Sequence, residues 1–277
     1  MQKRKIVADS SANLLQLQDM EFAVAPLRIL AGDREFMDDA ALDVDAMVRW
    51  FDGYKGRSKT ACPGTGDWLS AFGDAEEILC VTITSGLSGS YNAACAARSI
   101  YEAEHPDRRV CVIDSLSAGP ELELILEKLT DCIARDMPYE EICRETREYQ
   151  SRTGLLFMLK SLKNFAANGR VSPAVAKIAG VLGICVVGKA SDQGTLEPLS
   201  KNRGEGKALG AILENLQKGG FAGGKVRIAH CLNEGAAQQL KQMILAEFPG
   251  ADVGIRSCLG LCSYYAEKGG MLVGYEK

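Results

Sequence analysis

The strongest constraint on the fold is an alternation in the first half of the chain. Short apolar runs stop at Asp, Thr or Pro residues and alternate with helical stretches. Lys5-Ile6-Val7-Ala8, Phe22-Ala23-Val24-Ala25, Ile78 to Thr84 and Val110 to Asp114 read as strands. Between and after them, Asp67 to Ala75, Tyr91 to Glu104 and Glu121 to Arg135 carry helical patterns. Pro138 opens a further helix, Tyr139 to Gln150, with Glu140 and Glu141 in its first turn, where the missing proline N–H costs nothing and negative charge is favourable. Parallel strands need long crossovers, usually helices, that cover both faces of the sheet. The first half is therefore expected to be a three-layer α/β domain around a parallel sheet.

From Leu155 onward the pattern changes. Leu155 to Leu159, Ile184 to Val187, Thr195 to Leu199, Val226 to His230, Asp252 to Cys258 and Met271 to Tyr275 predict about six strands. Helices starting at Pro173, Glu205 and Glu234 separate only some of them. Strands that follow one another without a helix pair antiparallel, so this half is expected to be an α+β domain with a mixed sheet. The boundary is placed near residue 152, which gives domains of 1–152 and 153–277. A chain of 277 residues is long enough for two cores.

Several function classes drop out on composition. A net charge of −4 argues against a general nucleic-acid binder, which needs a basic excess. The basic start, Met1 to Lys5, is followed only by Ile6-Val7-Ala8 before Asp9, far short of an export signal's apolar core of about 7–15 residues. The stretch Ile178 to Gly188 is too short for a bilayer span of about 20 residues. A cytoplasmic protein with no stable membrane insertion is expected. Among ten cysteines, Cys80, Cys111, Cys185 and Cys231 lie in β-branched runs as small apolar side chains. Cys258 and Cys262 leave a redox couple open, but buried free thiols in a reducing compartment are the better reading. With only His105 and His230, and no Ser-His-Asp set or metal-ligand spacing, neither a catalytic residue nor a cofactor is expected.

The clearest chemical signal is Thr82-Ile83-Thr84-Ser85-Gly86-Leu87-Ser88-Gly89-Ser90-Tyr91. A strand runs into a loop of small residues that feeds a helix, whose free N–H groups and partial positive charge suit an anion. Ser85, Ser88 and Ser90 add hydroxyl donors; a plain serine cap accounts for only one of them. Asp9-Ser10-Ser11 and Asp114-Ser115-Leu116-Ser117 end two other strands, and Lys59 to Gly64 supplies a fourth polar loop. Parallel strands gather such loops at one sheet edge, so a crevice of neutral hydroxyls is expected, better suited to one carboxylate than to a polyphosphate. Gly183 to Ala190 nearly matches the phosphate-loop pattern, but its intervening residues are strand-formers. Arg170 and Arg203 sit in turns, where a solvated surface charge is the usual role.

These segments, taken in order, resemble the DegV family along nearly the whole chain. Ile6 to Ala12 resembles its opening strand and DSS turn, and Thr60-Ala61-Cys62-Pro63-Gly64 stands where TSQPS is common. Thr84 to Tyr91 resembles SSxLSGTY, Val112 to Ala118 VIDSxSAS, and Gly169 to Ser172 GRIS; Leu196-Glu197-Pro198 with Arg203-Gly204 resembles LEP…RG. The resemblance implies a long acyl tunnel between two domains and a non-catalytic subunit that holds a long-chain fatty acid for a separate fatty acid kinase subunit, which supplies ATP. It implies that Thr60 and Ser88 hydrogen-bond the carboxylate, that Arg203 lies near the headgroup, and that Arg170 and Arg203 help to dock the kinase. Two segments depart from the pattern: TSQPS loses polar groups at Ala61 and Cys62, and the histidine of GTHxGPG falls at Cys262. A lipid-responsive regulatory protein without a kinase partner is the alternative. A dihydroxyacetone kinase-like subunit ranks lower, because such subunits hold substrate on a histidine and neither histidine here lies in a matching loop.

Overall fold

The structure, a computed structural model, describes residues 3–172, 175 and 183–277. The chain begins with β1 (Arg4–Asp9), β2 (Phe22–Ala25), β3 (Arg28–Ala31), β4 (Arg34–Met37), α1 (Val44–Gly53), β5 (Ser58–Ala61) and α2 (Thr65–Phe72). It continues through β6 (Glu77–Thr82), α3 (Ser90–Glu104), β7 (Arg109–Asp114), α4 (Pro120–Ala134) and α5 (Tyr139–Gln150). Then come β8 (Thr153–Leu159), α6 (Lys163–Ala167), β9 (Ile184–Ala190), β10 (Leu196–Arg203) and α7 (Glu205–Lys218). The last elements are β11 (Lys225–His230), α8 (Glu234–Glu247), β12 (Asp252–Ser257), α9 (Gly260–Ala266) and β13 (Met271–Glu276). The helix expected from Pro173 lies outside the described residues.

The four strands expected in the first half form one all-parallel sheet, ordered β2-β1-β6-β7. Alternation sorts its side chains between two helical layers. Val7, Ile78, Cys80 and Val112 pack with Trp68, Phe72 and Ala97 of α2 and α3. Ile6, Leu79, Val81 and Ile113 pack with Leu122, Ile125 and Leu126 of α4 and with Ile142 of α5. The order reverses between β1 and β6, so the loops after these strands flank the topological switch point.

The second sheet is mixed and six-stranded, ordered β10-β9-β8-β13-β11-β12, with only β11 and β12 parallel. One face, carrying Leu156, Met158, Val187 and Ile228, is covered by Leu209 and Ile212 of α7 and Leu240 of α8. The opposite face, carrying Phe157, Leu159, Val186 and Leu272, turns toward the first half of the chain. The near phosphate loop is β9, hydrogen-bonded on both sides, with Lys189 set 3.6 Å from Glu197.

Helix α4 belongs to both halves. Every residue from Pro120 to Leu126 is buried, as a helix enclosed on all sides must be. Its first turn lies on the backbone of β13: a Cβ at Gly274 would come within 2.5 Å of the Pro120 carbonyl carbon. Its two buried acids are compensated, Glu121 by the Thr153 hydroxyl at 2.7 Å and Glu123 by Arg256.

A third sheet was not foreseen. Strands β4-β3-β5 are antiparallel and four residues long each. Lys59–Ala61 is thus strand, where the sequence had suggested part of a polar loop. Runs such as Ser58-Lys59-Thr60-Ala61 are too short and too polar to show a period; their strand state comes from pairing with β3. Among the described residues, no helix is long and apolar enough to cross a membrane.

Candidate functional site

Between the switch-point loops and the inward face of the six-stranded sheet lies a cavity of about 300 Å³, at the lower end of the about 300–1,000 Å³ usual for small-molecule sites. Leu155, Phe157 and Leu159 of β8 form its floor, two residues apart and therefore on one face, with Leu196 and Leu272 beside them. Ile83, Leu87 and Ser88 from the loop after β6 and Ala118 from the loop after β7 cover it. Thr60 and Cys62, Leu261, Cys262 and Tyr265 of α9, Phe165 and Arg170 close one end. No Asp, Glu or His is among the described lining residues, and the two cations are Arg170 and Lys189. A second recess of about 810 Å³ lies on the other side of α9; Leu30, Met47, Val48 and Phe51 line it, and exposed Arg57, Lys59, Lys163 and Lys268 edge it.

The polar end is built by tertiary contacts. Thr60 Oγ1 lies 2.7 Å from the Tyr265 hydroxyl, and the Thr60 N–H donates to Asn168 Oδ1 at 3.0 Å. Ser88 lines the cavity, and its hydroxyl accepts from the Ser90 N–H at 3.3 Å. Arg170 donates through Nε to the Leu87 carbonyl at 3.0 Å and through Nη1 to the Asn168 carbonyl. It thereby ties the glycine–serine loop to the turn after α6 and holds a positive charge at the cavity wall. Gly194 has φ +68°, and a Cβ there would strike the Thr84 side chain, so glycine lets the β9–β10 turn close on the switch-point loop.

The residues predicted from sequence divide. Thr60, Ser88 and Arg170 come together around the cavity. Ser85 does not line it: the residue is exposed, and its N–H donates to Asp114 Oδ1 at 3.0 Å. Arg203 is exposed at the far end of β10, paired with Ile184, about 23 Å along the strand from Leu196 at about 3.3 Å per residue. The Asp9-Ser10-Ser11 hydroxyls are structural. Buried Asp9 accepts from Ser11 Oγ and Ser90 Oγ, both at 2.5 Å, and from the Ile83 N–H at 2.9 Å; Ser10 Oγ accepts from the Leu27 N–H. Burial pushes the Asp9 carboxyl up against these donors. Ser90 thus anchors the start of α3 on Asp9 and leaves the cavity to Ser88.

Sequence reasoning missed Tyr265, Asn168 and Asp38. Asp38 is buried and accepts from the Gly260 N–H at 2.7 Å and the Leu261 N–H at 2.9 Å, which fixes the start of α9 and hence Leu261, Cys262 and Tyr265. Thr60 and Tyr265 are 205 positions apart, and nothing in the one-dimensional pattern connects them. The thiols of Cys258 and Cys262 are buried and pushed up by burial, the state of inert core cysteines.

A parallel sheet and a mixed sheet closing on a largely apolar cavity define a fold class that comparison identifies. The family model described as "Uncharacterised protein, DegV family" matches residues 3–277, and the chain belongs to the DegV family. A DegV domain-containing protein of Streptococcus pneumoniae is 45% identical over 276 residues, covering 98% of each chain. Among solved structures, a DegV family protein from Eubacterium eligens loaded with heptadecanoic acid superposes with a TM-score of 0.97 at 46% identity, covering 99% of both chains. The Streptococcus pneumoniae Fatty Acid Kinase (Fak) B3 protein loaded with linoleic acid gives a TM-score of 0.97 at 45% identity, again over 99% of both chains.

Proposed function

We propose that this protein binds one long-chain fatty acid. The carboxylate would lie at the end closed by Thr60, Ser88 and Arg170, and the tail along Leu155, Phe157 and Leu159. The observation that carries the reading is the composition of the cavity wall, in which Ile83, Leu155, Phe157, Leu159, Leu196 and Leu272 enclose an apolar space, no carboxylate is among the described lining residues, and Thr60, Ser88 and Arg170 supply hydroxyls and a guanidinium. Each methylene moved from water into such a wall is worth about 0.8 kcal/mol, and hydroxyl or guanidinium donors to a carboxylate about 1.5–3 kcal/mol each. The segments 1–152 and 153–277 are the two units between which the acid is held. The likeness to the Fak B3 protein supports a further step, in which the protein carries no chemistry itself and presents the carboxylate to a separate kinase subunit for acyl-phosphate formation. Arg170 at the cavity wall and Arg203 on the surface are the contacts proposed for that partner. Native mass spectrometry of freshly purified protein, followed by calorimetric titration of delipidated protein with saturated and unsaturated acids, tests the binding. Failure to bind any acid of the panel would overturn it.

A further inference from the structure

Thr60 does not face the cavity alone. Its Oγ1 and the Tyr265 hydroxyl are 2.7 Å apart, both residues line the cavity, and neither hydroxyl has another hydrogen-bond partner among the described residues. Each group carries one hydrogen. Whichever way their mutual bond runs, it uses one hydrogen and leaves the other to donate elsewhere. The neighbouring Tyr264 differs. Its hydroxyl meets Ser58 Oγ at 2.7 Å and Asn168 Nδ2 at 2.9 Å, and Tyr264 lines the recess on the other side of α9 rather than this cavity. Two consecutive tyrosines therefore tie alternate residues of β5 to α9, and of these two pairs it is Thr60–Tyr265 that presents its spare donor to the cavity.

Tyr265 is held in place. Its ring lies 4.6 Å from that of Phe165 and 5.0 Å, edge-on, from that of Tyr264, measured between centroids. The backbone of α9 is fixed at its start by Asp38. Burial pushes the phenol pKa up, so the hydroxyl stays a donor.

We propose that Tyr265 is a headgroup residue that acts with Thr60 as one coupled hydroxyl pair, donating a single hydrogen bond to the carboxylate of the bound acid. The proposal rests on the fatty-acid reading above. In the order that places Thr60 against the ligand, the Tyr265 O–H donates to Thr60 Oγ1 and the Thr60 O–H donates to the carboxylate. Each bond polarises the next in such a chain. In the reverse order Tyr265 touches the ligand, and both hydroxyls are again required.

The test compares heptadecanoic acid with its methyl ester by calorimetric titration of delipidated wild type, Tyr265→Phe, Thr60→Val and the double variant. The expected result is a loss of roughly tenfold or more in acid affinity for each single variant, the share of one charge-assisted hydrogen bond. Ester binding should stay within about twofold, since an ester offers no charge to the donor. The double variant should lose less than the product of the two single losses, because either change breaks the same donor chain. Acid binding unchanged in Tyr265→Phe, equal losses for acid and ester, or losses that multiply would each overturn the pair. A second readout needs no variant. With the eight tyrosines labelled with ¹³C at Cζ, one signal should move on adding acid and remain in place on adding ester; no movement overturns the proposal. Wild type that binds no acid overturns the fatty-acid reading and the pair together, whereas wild-type binding with an unaffected Tyr265→Phe removes the pair alone.

Discussion

Replacing Asp38 with asparagine is expected to change how the stability of this protein responds to acid. Asp38 is buried beside Ser10 and holds the first two N–H groups of α9. Burial raises its carboxyl from 3.8 to about 6; the donors from Leu261, Ser10 and Gly260 oppose the rise, and the like charge of Asp9 adds to it. Full protonation of the folded form is worth about 3 kcal/mol over that interval, at about 1.4 kcal/mol per pH unit. A folded-state value above the unfolded one means that the folded protein binds the proton more readily. Its stabilising effect is complete below the unfolded value and is lost as pH rises through about 6. Linkage puts the gain between pH 7.5 and 5 at about 1.4 kcal/mol. Asparagine cannot titrate, so the difference in unfolding free energy, wild type minus Asp38→Asn, should move toward the wild type by that amount over this range. Urea denaturation at several pH values measures it, with Asp9 and the thiol of Cys262, which also face this site, common to both proteins. A difference that is flat, or that moves toward the variant on acidification, would refute the account of Asp38 as a carboxylate ionised at a cost.

Ser90→Ala removes a 2.5 Å donor from buried Asp9 and should cost about 1.5–3 kcal/mol of stability in denaturation, with fatty acid affinity in the folded protein within about twofold of wild type; a large affinity loss would return Ser90 to the ligand site. Gly274→Ala should destabilise by at least about 1–3 kcal/mol, because its methyl group would meet the Pro120 backbone rather than a side chain able to turn aside; an unchanged thermal midpoint would contradict that contact. Arg203→Ala should leave acid binding intact and lower acyl-phosphate formation when a kinase subunit and ATP are supplied; unimpaired turnover removes Arg203 from the docking surface. Protein without a kinase subunit should hydrolyse no ATP, since Lys189 lies on a paired strand; hydrolysis abolished by Lys189→Ala would contradict this.

The sequence alone determined the elements whose signal is local. Runs such as Ile78 to Thr84 are apolar, β-branched and bounded by polar residues, so period and composition suffice to place β6 and its relatives, and the absence of helices between later strands suffices for a mixed sheet. Thr60 and Ser88 were expected at the ligand from motifs whose order along the chain is distinctive, and both line one cavity; Arg170, expected from its motif at a docking surface, lines the same cavity. Three things only the tertiary structure decided. Strand β5 exists because β3 supplies its hydrogen bonds, a long-range gain that no local propensity carries. Ser90 and Ser88 look alike in the loop, but Asp9, 81 positions away, draws Ser90 inward and leaves Ser88 on the cavity. Tyr265 reaches Thr60 because Asp38 fixes the start of α9 and β5 lies alongside it. A hydroxyl's role is set by which group meets it within about 3 Å, and that distance is a property of the packed chain rather than of neighbouring residues in sequence.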